Sequence, residues 1–259
     1  MVHIESGTGT SSAAVGTQPQ VADPTAYIAD PGPLGLAGFA MTTFVLSVFN
    51  AGFVTTSGLV AVVLPLALFY GGLAQFVAGL WEFRKGNTFG ALAFCSFGAF
   101  WLSFAAYAKY VEPGLGGNAH IATGIYLLGW AIFTGYMCIA AARVNGVVLG
   151  VFVFLTLTFI ALTIGIWSQT SAVTKLGGWL GLITAALAWY ASCAVVANST
   201  WKRTLLPVFP LAPAQPVTRA RRPATDVAGG PVLSRWRLTH DDRIRHTGRV
   251  RSANRGALA

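Results

Sequence analysis

Six long apolar stretches constrain this chain more than any other feature of its sequence. They lie at about 34–53, 58–81, 88–109, 121–142, 146–168 and 177–197. Each is close to the roughly 20 residues that a helix needs to cross a bilayer. Backbone groups in lipid must be satisfied internally, which excludes an open sheet, and no stretch alternates apolar and polar residues as barrel strands do. The sequence therefore predicts an all-α integral membrane protein, a bundle of six transmembrane helices.

Composition excludes the other broad classes. Hydrophobic residues make up 54% of the chain and charged residues only 10%, whereas soluble domains carry about 25% charged residues. A soluble globular enzyme, a disordered protein and a disulfide scaffold are all inconsistent with this balance. The connections between the apolar stretches are mostly short, so we expect neighbouring helices to run antiparallel.

The net charge of +9 is concentrated near the C-terminus, because residues 198–259 hold twelve of the 17 Lys and Arg. Six crossings bring both termini to one side of the membrane, together with Arg84, Lys85 and Arg143. The positive-inside rule then predicts that both termini are cytoplasmic. A basic tail of this kind is typical of a segment near anionic lipid, and no nucleic-acid partner is expected.

Three regions are predicted along the chain. Residues 1–29 are rich in Ser, Thr, Gly, Ala and Pro and form a disordered polar leader. Residues 30–207 form the six-helix transmembrane domain. Residues 208–259 are rich in Pro, Arg and Ala without an apolar period, and we expect a disordered cytoplasmic tail.

The first apolar stretch begins with Asp30-Pro31-Gly32-Pro33. Proline is tolerated in the first turn of a helix and Asp is a good N-cap, so this segment predicts a sharply started helix. Two interpretations remain open at this point. The segment either only caps the helix, or it directs the free N–H groups of the helix start at an anion.

A polar stripe follows on the same helix. Thr43, Ser47 and Asn50 are spaced by four and three residues, which places them on one face. Polar residues inside a membrane are costly and are candidates for function by default. We therefore expect this stripe to face a pore or a partner helix.

The second helix carries a further pair, Gln75 and Glu82, which are seven residues apart and share a face. Glu82 either pairs with nearby Arg84 or Lys85, which would be a structural role, or carries a proton or sets the selectivity of a vestibule.

The sequence contains no catalytic constellation and predicts no enzyme, cofactor or metal site. Histidines lie in the leader, in the tail or, for His120, at a helix end, and the three cysteines are far apart in apolar segments. Nucleotide-binding and hydrolase motifs are missing from the sequence.

Several motifs in order resemble the acetate uptake transporter family, whose bacterial type is the succinate–acetate permease. The entrance signature of that family, Asn-Pro-Ala-Pro-Leu-Gly-Leu, is similar to residues 30–36, with Asp for Asn and Gly for Ala. The resemblance covers about residues 30–207. Its further motifs are Thr42-Thr43, Asn50-Ala51-Gly52, Tyr70-Gly71-Gly72-Leu73-Ala74-Gln75, Gly86-Asn87-Thr88-Phe89-Gly90, Phe100-Trp101-Leu102, residues 124–134, Thr158-Phe159 and Ala188-Trp189-Tyr190.

The resemblance implies a pore in each protomer of a homo-oligomer, a hexamer, that carries acetate and similar small carboxylates, with succinate as a further substrate. Transport in the family is described as proton-coupled or channel-like. By motif position the resemblance implies a constriction at Phe39, Phe97 and Leu155 and an exit path at Ala188. Family members often have Tyr where this chain has Phe97. Motifs and polar residues together predict this substrate path: Asp30, Pro31, Pro33, Leu34, Gly35, Leu36, Thr42, Thr43, Asn50, Tyr70, Gln75, Glu82 and Ala188.

The predicted function is passive or proton-coupled carboxylate transport across the plasma membrane, with small carboxylates, protons and lipid as partners. One alternative is export of ammonium or ammonia, a role also proposed for fungal relatives. Another is a membrane scaffold or sensor that acts through the basic tail. We hypothesise that Asp30 caps the first helix and slows the access of anions or couples it to protons.

Overall fold

A computed structural model describes residues 28–56 and 58–211. Within them, six helices are long and apolar enough to cross a membrane, and no strand occurs. They are α1 (Gly32–Asn50), α2 (Leu59–Lys85), α3 (Thr88–Gly114), α4 (Gly116–Ala141), α5 (Gly146–Trp167) and α6 (Ser171–Trp201). The predicted all-α, six-helix membrane fold is confirmed. The predicted leader and tail lie outside the described residues, except for 28–29 and 208–211.

Several helices extend beyond their predicted ends: α3 runs past 109 to Gly114, and α4 begins at Gly116 rather than near 121. Helix α2 continues past position 81 to Lys85, and α6 begins at Ser171 rather than near 177. Hydropathy marks only the part of a helix that lies in hydrocarbon, whereas backbone hydrogen bonding continues into the polar ends. Glu82 is therefore a helical residue of α2.

Helix α2 is irregular at its glycines. Residues Phe69–Ala74 form a π-helical turn, a feature that is frequent at functional sites. A Cβ on Gly71 would collide with the side chain of Thr42, and a Cβ on Gly72 would lie 2.8 Å from Leu102 Cδ2. The glycines therefore let this turn pack closely between α1 and α3, and Gln75 follows it directly.

The helices form a closed ring in chain order. Helix α1 packs against α2 and α6, α5 packs between α4 and α6, and α2 packs along α3. The α3–α4 contact is aromatic, with the rings of Tyr107 and Tyr126 nearly parallel and 5.6 Å apart. The α1–α6 contact is so close that a Cβ on Gly178 would collide with the backbone of Asn50 and Ala51.

The ring has two ends, each named here by a residue of α1. The Asp30 end holds the start of α1, the end of α6 and the α2–α3 and α4–α5 connections, and the Asn50 end holds the other connections. At the Asp30 end, Ser192 Oγ donates to the Pro33 carbonyl over 2.8 Å. Helix α1 therefore begins beside the end of α6.

The α2–α3 connection is very short. Gly86 adopts a left-handed conformation (φ +77°) that ends α2, and such a φ favours glycine. Asn87 then caps α3 by accepting a hydrogen bond from the Gly90 N–H over 3.1 Å. Both residues belong to the same sequence motif, so the motif encodes this turn.

The described chain continues past the predicted domain end at 207. The Gly146 N–H donates to the Phe209 carbonyl over 2.8 Å, and the Leu211 N–H donates to the Val144 carbonyl over 3.3 Å. Residues 208–211 thus belong with the α4–α5 connection.

Candidate functional site

Two cavities lie inside the ring of helices, one toward each end. The smaller cavity, at the Asp30 end, has a volume of about 250 Å³, and the larger one, at the Asn50 end, has about 390 Å³. Phe39 of α1 and Leu155 of α5 line both cavities. The cavities therefore meet at these two side chains.

The predicted constriction residues lie together at this point. Phe39, Phe97 and Leu155, here called the apolar ring, are all buried and come from α1, α3 and α5. The aromatic rings of Phe39 and Phe97 are 5.5 Å apart. Phe97 also packs against Phe133 and Phe152, at ring distances of 5.3 and 6.0 Å. An apolar cluster thus stands where the two cavities meet.

The larger cavity is lined by the predicted polar stripe of α1, namely Thr43, Ser47 and Asn50. Thr43 Oγ1 and Trp101 Nε1 are buried without a hydrogen-bond partner among the described residues. An unsatisfied buried polar group costs about 1–3 kcal/mol, so such atoms mark places where water or a ligand binds. In the sequence Trp101 stands out only as part of the Phe100-Trp101-Leu102 motif, since an indole in an apolar run gives no separate signal.

The smaller cavity contains the deeper member of the predicted α2 pair. Gln75 is only 1% exposed, and its Oε1 has no partner within the described part of the chain. Leu36 lines the same cavity, as does Glu82. Each side of the apolar ring therefore presents at least one unpartnered buried polar atom.

Charged residues surround the mouth of the smaller cavity. Lys85 Nζ lies 2.8 Å from Asp30 Oδ1, and the same oxygen accepts a hydrogen bond from the Gly32 N–H over 3.0 Å. Asp30 thus bonds the first amide of α1 and a cation at once. Glu82, only 1% exposed, accepts a hydrogen bond from Asn87 Nδ2 over 2.8 Å. Lys85 therefore pairs with Asp30, and Glu82 has an amide partner instead of a cation.

Other predicted path residues contact neighbouring helices. Thr42 Oγ1 donates to the Gly38 carbonyl over 2.9 Å on the side that meets α2, and Ala188 is fully buried in the core. Sequence spacing could not separate these packing positions from pore positions, because both kinds are small or polar. The predicted residues that line neither cavity are Pro31, Pro33, Leu34, Gly35, Thr42, Tyr70 and Ala188.

A wider vestibule of about 600 Å³ lies at the Asn50 end. It shares Asn50 with the larger cavity and also contains Glu112, His120 and Lys175. The sequence predicts no role for these three residues, because charged groups at helix ends are usual at a membrane surface. Within residues 28–56 and 58–211, no group of three or more His, Cys, Asp and Glu could hold a metal ion.

The fold and the cavities define the class: a multi-pass membrane protein whose helices enclose a path that an apolar ring interrupts. Comparison with known proteins then gives the family. The model of the GPR1/FUN34/yaaH family matches residues 14–213, and the chain belongs to this family.

Relatives of this chain carry transport names. The chain is 41% identical over 183 residues to the "Succinate-acetate/proton symporter SatP" of Escherichia coli strain K12, covering 70% of this chain and 95% of that protein. It is 42% identical over 201 residues to the "Ammonia transport outward protein 2" of Saccharomyces cerevisiae, covering 73% and 68%. A solved structure described as the bacterial acetate channel SatP matches with a TM-score of 0.64 and 41% identity, over 70% of this chain and 99% of that one. The resemblance found in the sequence is confirmed.

Proposed function

We propose that this protein carries acetate and related small carboxylates, including succinate, through a pore in each protomer, passively or coupled to protons. The observation that carries the proposal is the pair of cavities that meet at the apolar ring, each with an unpartnered buried polar atom. The names of the bacterial relatives support carboxylates as the substrate class. The proposed activity is transport without covalent chemistry, so no enzymatic step is assigned.

In the proposed path, neutral groups hold the carboxylate. Thr43 and Trp101 line the larger cavity, and the Thr43 hydroxyl and the Trp101 Nε1–H are donors without a partner among the described residues; we propose that they turn toward a carboxylate in this cavity. Donors without charge bind an anion weakly enough to release it again, which conduction requires.

The apolar ring opposes a fully hydrated ion, so passage favours a small acid that is partly desolvated or protonated. The pKa of acetic acid is near that of free Glu, about 4.3, so uptake rises as the pH falls. This trend fits both symport and passage of the neutral acid.

Asp30 and Glu82 are proposed to act at the mouth of the smaller cavity. The N-cap position of α1 is Pro31 and not Asp30 as predicted; Asp30 lies one residue earlier and accepts the hydrogen bond of the Gly32 N–H. While Lys85 neutralises it, Asp30 adds no net charge at a position where the family signature has Asn. Glu82 lines the cavity and has one side-chain partner, Asn87, which makes it our candidate for a proton carrier.

The proposal extends to assembly and topology. We expect a homo-oligomer, a hexamer, in the plasma membrane, with both termini cytoplasmic. Many exposed large apolar side chains, for example Ile125, Ile132 and Ile139 along one side of α4, are suited to lipid or to a neighbouring protomer.

The test is uptake of radiolabelled acetate into proteoliposomes, with and without an imposed pH gradient, in competition with succinate, lactate and ammonium. Accumulation driven by the gradient, above protein-free liposomes, supports proton-coupled carboxylate transport, and equilibration without a gradient supports a channel. Absence of uptake by protein that elutes as a folded species would refute the proposal.

Ammonium or ammonia export is the second candidate function. It is favoured by the name of the yeast relative and by a carboxylate in each cavity, Glu82 in the smaller and Glu112 in the larger. Release of ammonium from loaded liposomes, with no acetate flux, would select this function.

A role of the basic tail in recruiting a partner or anionic lipid is tested separately. Deletion of residues 212–259 spares the contacts of 208–211 with the α4–α5 connection. Lost localisation with intact transport would assign the tail a role beside transport, not in place of it.

A further inference from the structure

The Asp30–Lys85 pair stands directly on the proposed route. Its atoms are 2.8 Å apart, and it is the only Lys or Arg to Asp or Glu contact within 4.0 Å in residues 28–56 and 58–211. Both side chains line the smaller cavity, and both are partly exposed, Lys85 by 34% and Asp30 by 43%. The pair is therefore both on the path and in contact with water.

The charges that face this mouth are few and can be counted. Besides the pair, the only other Asp, Glu, Lys or Arg of the described residues that lines the smaller cavity is Glu82. The mouth is neutral when Glu82 is protonated and carries one negative charge when Glu82 is ionised. In both cases Lys85 is the single cation that the part of the chain described by the structure places there, and its ammonium is already paired with Asp30.

We infer that the Asp30–Lys85 pair sets the net charge of this mouth and thereby makes the protein select monocarboxylates over dicarboxylates. The inference rests on the proposed function and goes beyond it. Repulsion from the carboxylates of the mouth scales with the charge of the substrate, so a dianion is hindered more than a monoanion. The second carboxylate of a dicarboxylate also gains little attraction from the Lys85 ammonium, because Asp30 is already bound to it.

The two single variants should shift selectivity in opposite directions. Asp30→Asn keeps a side-chain oxygen for the Gly32 N–H, removes one negative charge and frees Lys85. Lys85→Gln leaves Asp30 uncompensated. The double variant restores the net charge of the wild-type mouth without the pair.

Arg84→Gln is the matched control. It removes the same charge one residue away, from a side chain that is exposed and lines neither cavity. A shift caused only by the general surface charge near α2 would appear in this variant too.

The experiment measures initial rates of radiolabelled succinate and acetate uptake into proteoliposomes at pH 7, where both carboxyls of succinate are largely ionised. Adding or removing one charge within a few ångströms of the substrate, in a mouth exposed to water, changes the ratio of the dianion uptake rate to the monoanion uptake rate by about threefold. We expect the succinate-to-acetate ratio to rise about threefold in Asp30→Asn and to fall about threefold in Lys85→Gln. It should lie within about twofold of wild type in the double variant and in Arg84→Gln.

Salt adds a readout that a merely structural effect would not move. In about 1 M salt the Debye length is about 3 Å, so the differences among the variants should largely disappear. Single variants that change the ratio by less than twofold, or that shift it in the same direction, would overturn the inference while acetate uptake upholds the proposed function. Absence of carboxylate uptake by the wild type would overturn both.

Discussion

Truncation of Leu155 to Ala should widen the apolar ring from one side. Leu155 is buried and lines both cavities, so the loss of its branched end joins them. One methylene in an apolar pocket is worth about 1–3 kcal/mol, or about 10–200-fold, in discrimination between substrates. Because the two phenylalanines of the apolar ring remain, we take the lower end of this range of discrimination. We therefore expect the butyrate-to-acetate uptake ratio to rise about tenfold.

The same substitution has a calculable effect on stability. Leu→Ala in a core costs about 2–5 kcal/mol, and the cost grows with the cavity that is left. Leu155 already borders open space on two sides, so it loses fewer contacts than an enclosed leucine. We therefore expect about 2 kcal/mol, visible as a lower melting temperature in detergent, with the protein still folded.

Leu157→Ala provides the control, because Leu157 is on the same helix and 44% exposed. It removes the same atoms from the outer surface and should leave both the melting temperature and the selectivity near wild type. Uptake of acetate, propionate and butyrate by the two variants, measured at one pH in matched proteoliposomes, gives the comparison. If Leu155→Ala leaves the ratio unchanged, or Leu157→Ala shifts it equally, the ring is not the selective step.

Three further predictions concern other parts of the molecule. Thr43→Val and Trp101→Phe each remove a buried polar atom that has no partner among the described residues, so each should slow acetate uptake about threefold to tenfold. For the isosteric Thr43→Val, thermal stability should stay equal or rise, and a fall would show that the hydroxyl already has a partner. Gly178→Leu must push α1 and α6 apart, because even a Cβ collides there, and should abolish folded protein on size-exclusion chromatography, whereas normal elution would contradict the close packing. Asn87→Ala removes both the N-cap of α3 and the hydrogen bond to the buried Glu82, and should lower stability by at least about 1 kcal/mol, measured by thermal unfolding; an unchanged melting temperature would show that neither bond contributes.

The sequence predicts the fold well, because every segment that crosses a bilayer as a helix needs an apolar stretch of about 20 residues, and such stretches are easily recognised. It predicts helix ends less well, as the extended α2 and α6 show. Among the site residues, the α1 stripe could be predicted because a polar side chain inside lipid has few alternatives to an interior position. Residues such as Thr42 and Gly35 could not be assigned, because close helix packing selects the same small residues as a pore does.

The mouth was the least predictable part. The spacing in the sequence is compatible with an ion pair between Glu82 and Arg84 or Lys85. In the structure Lys85 forms an ion pair with Asp30 instead, and Glu82 accepts a hydrogen bond from Asn87. The partner that Lys85 and Glu82 each bind depends on the turn at Gly86 and on the position of α1 beside that turn. Both arise only when the helices have packed together. For the same reason, nothing in the sequence indicates that the Trp101 N–H has no partner among the described residues.

The apolar ring also has an electrical consequence. If water fills the two cavities that reach the ring from opposite ends, it brings a high dielectric deep into the protein, and the membrane potential then falls mainly across the layer of Phe39, Phe97 and Leu155. An anion that moves only this short distance crosses most of the field, which is worth about 2.3 kcal/mol per charge at 100 mV. A carboxylate that crosses as an ion should therefore be driven steeply by voltage, and one that crosses as the neutral acid should not respond to voltage at all.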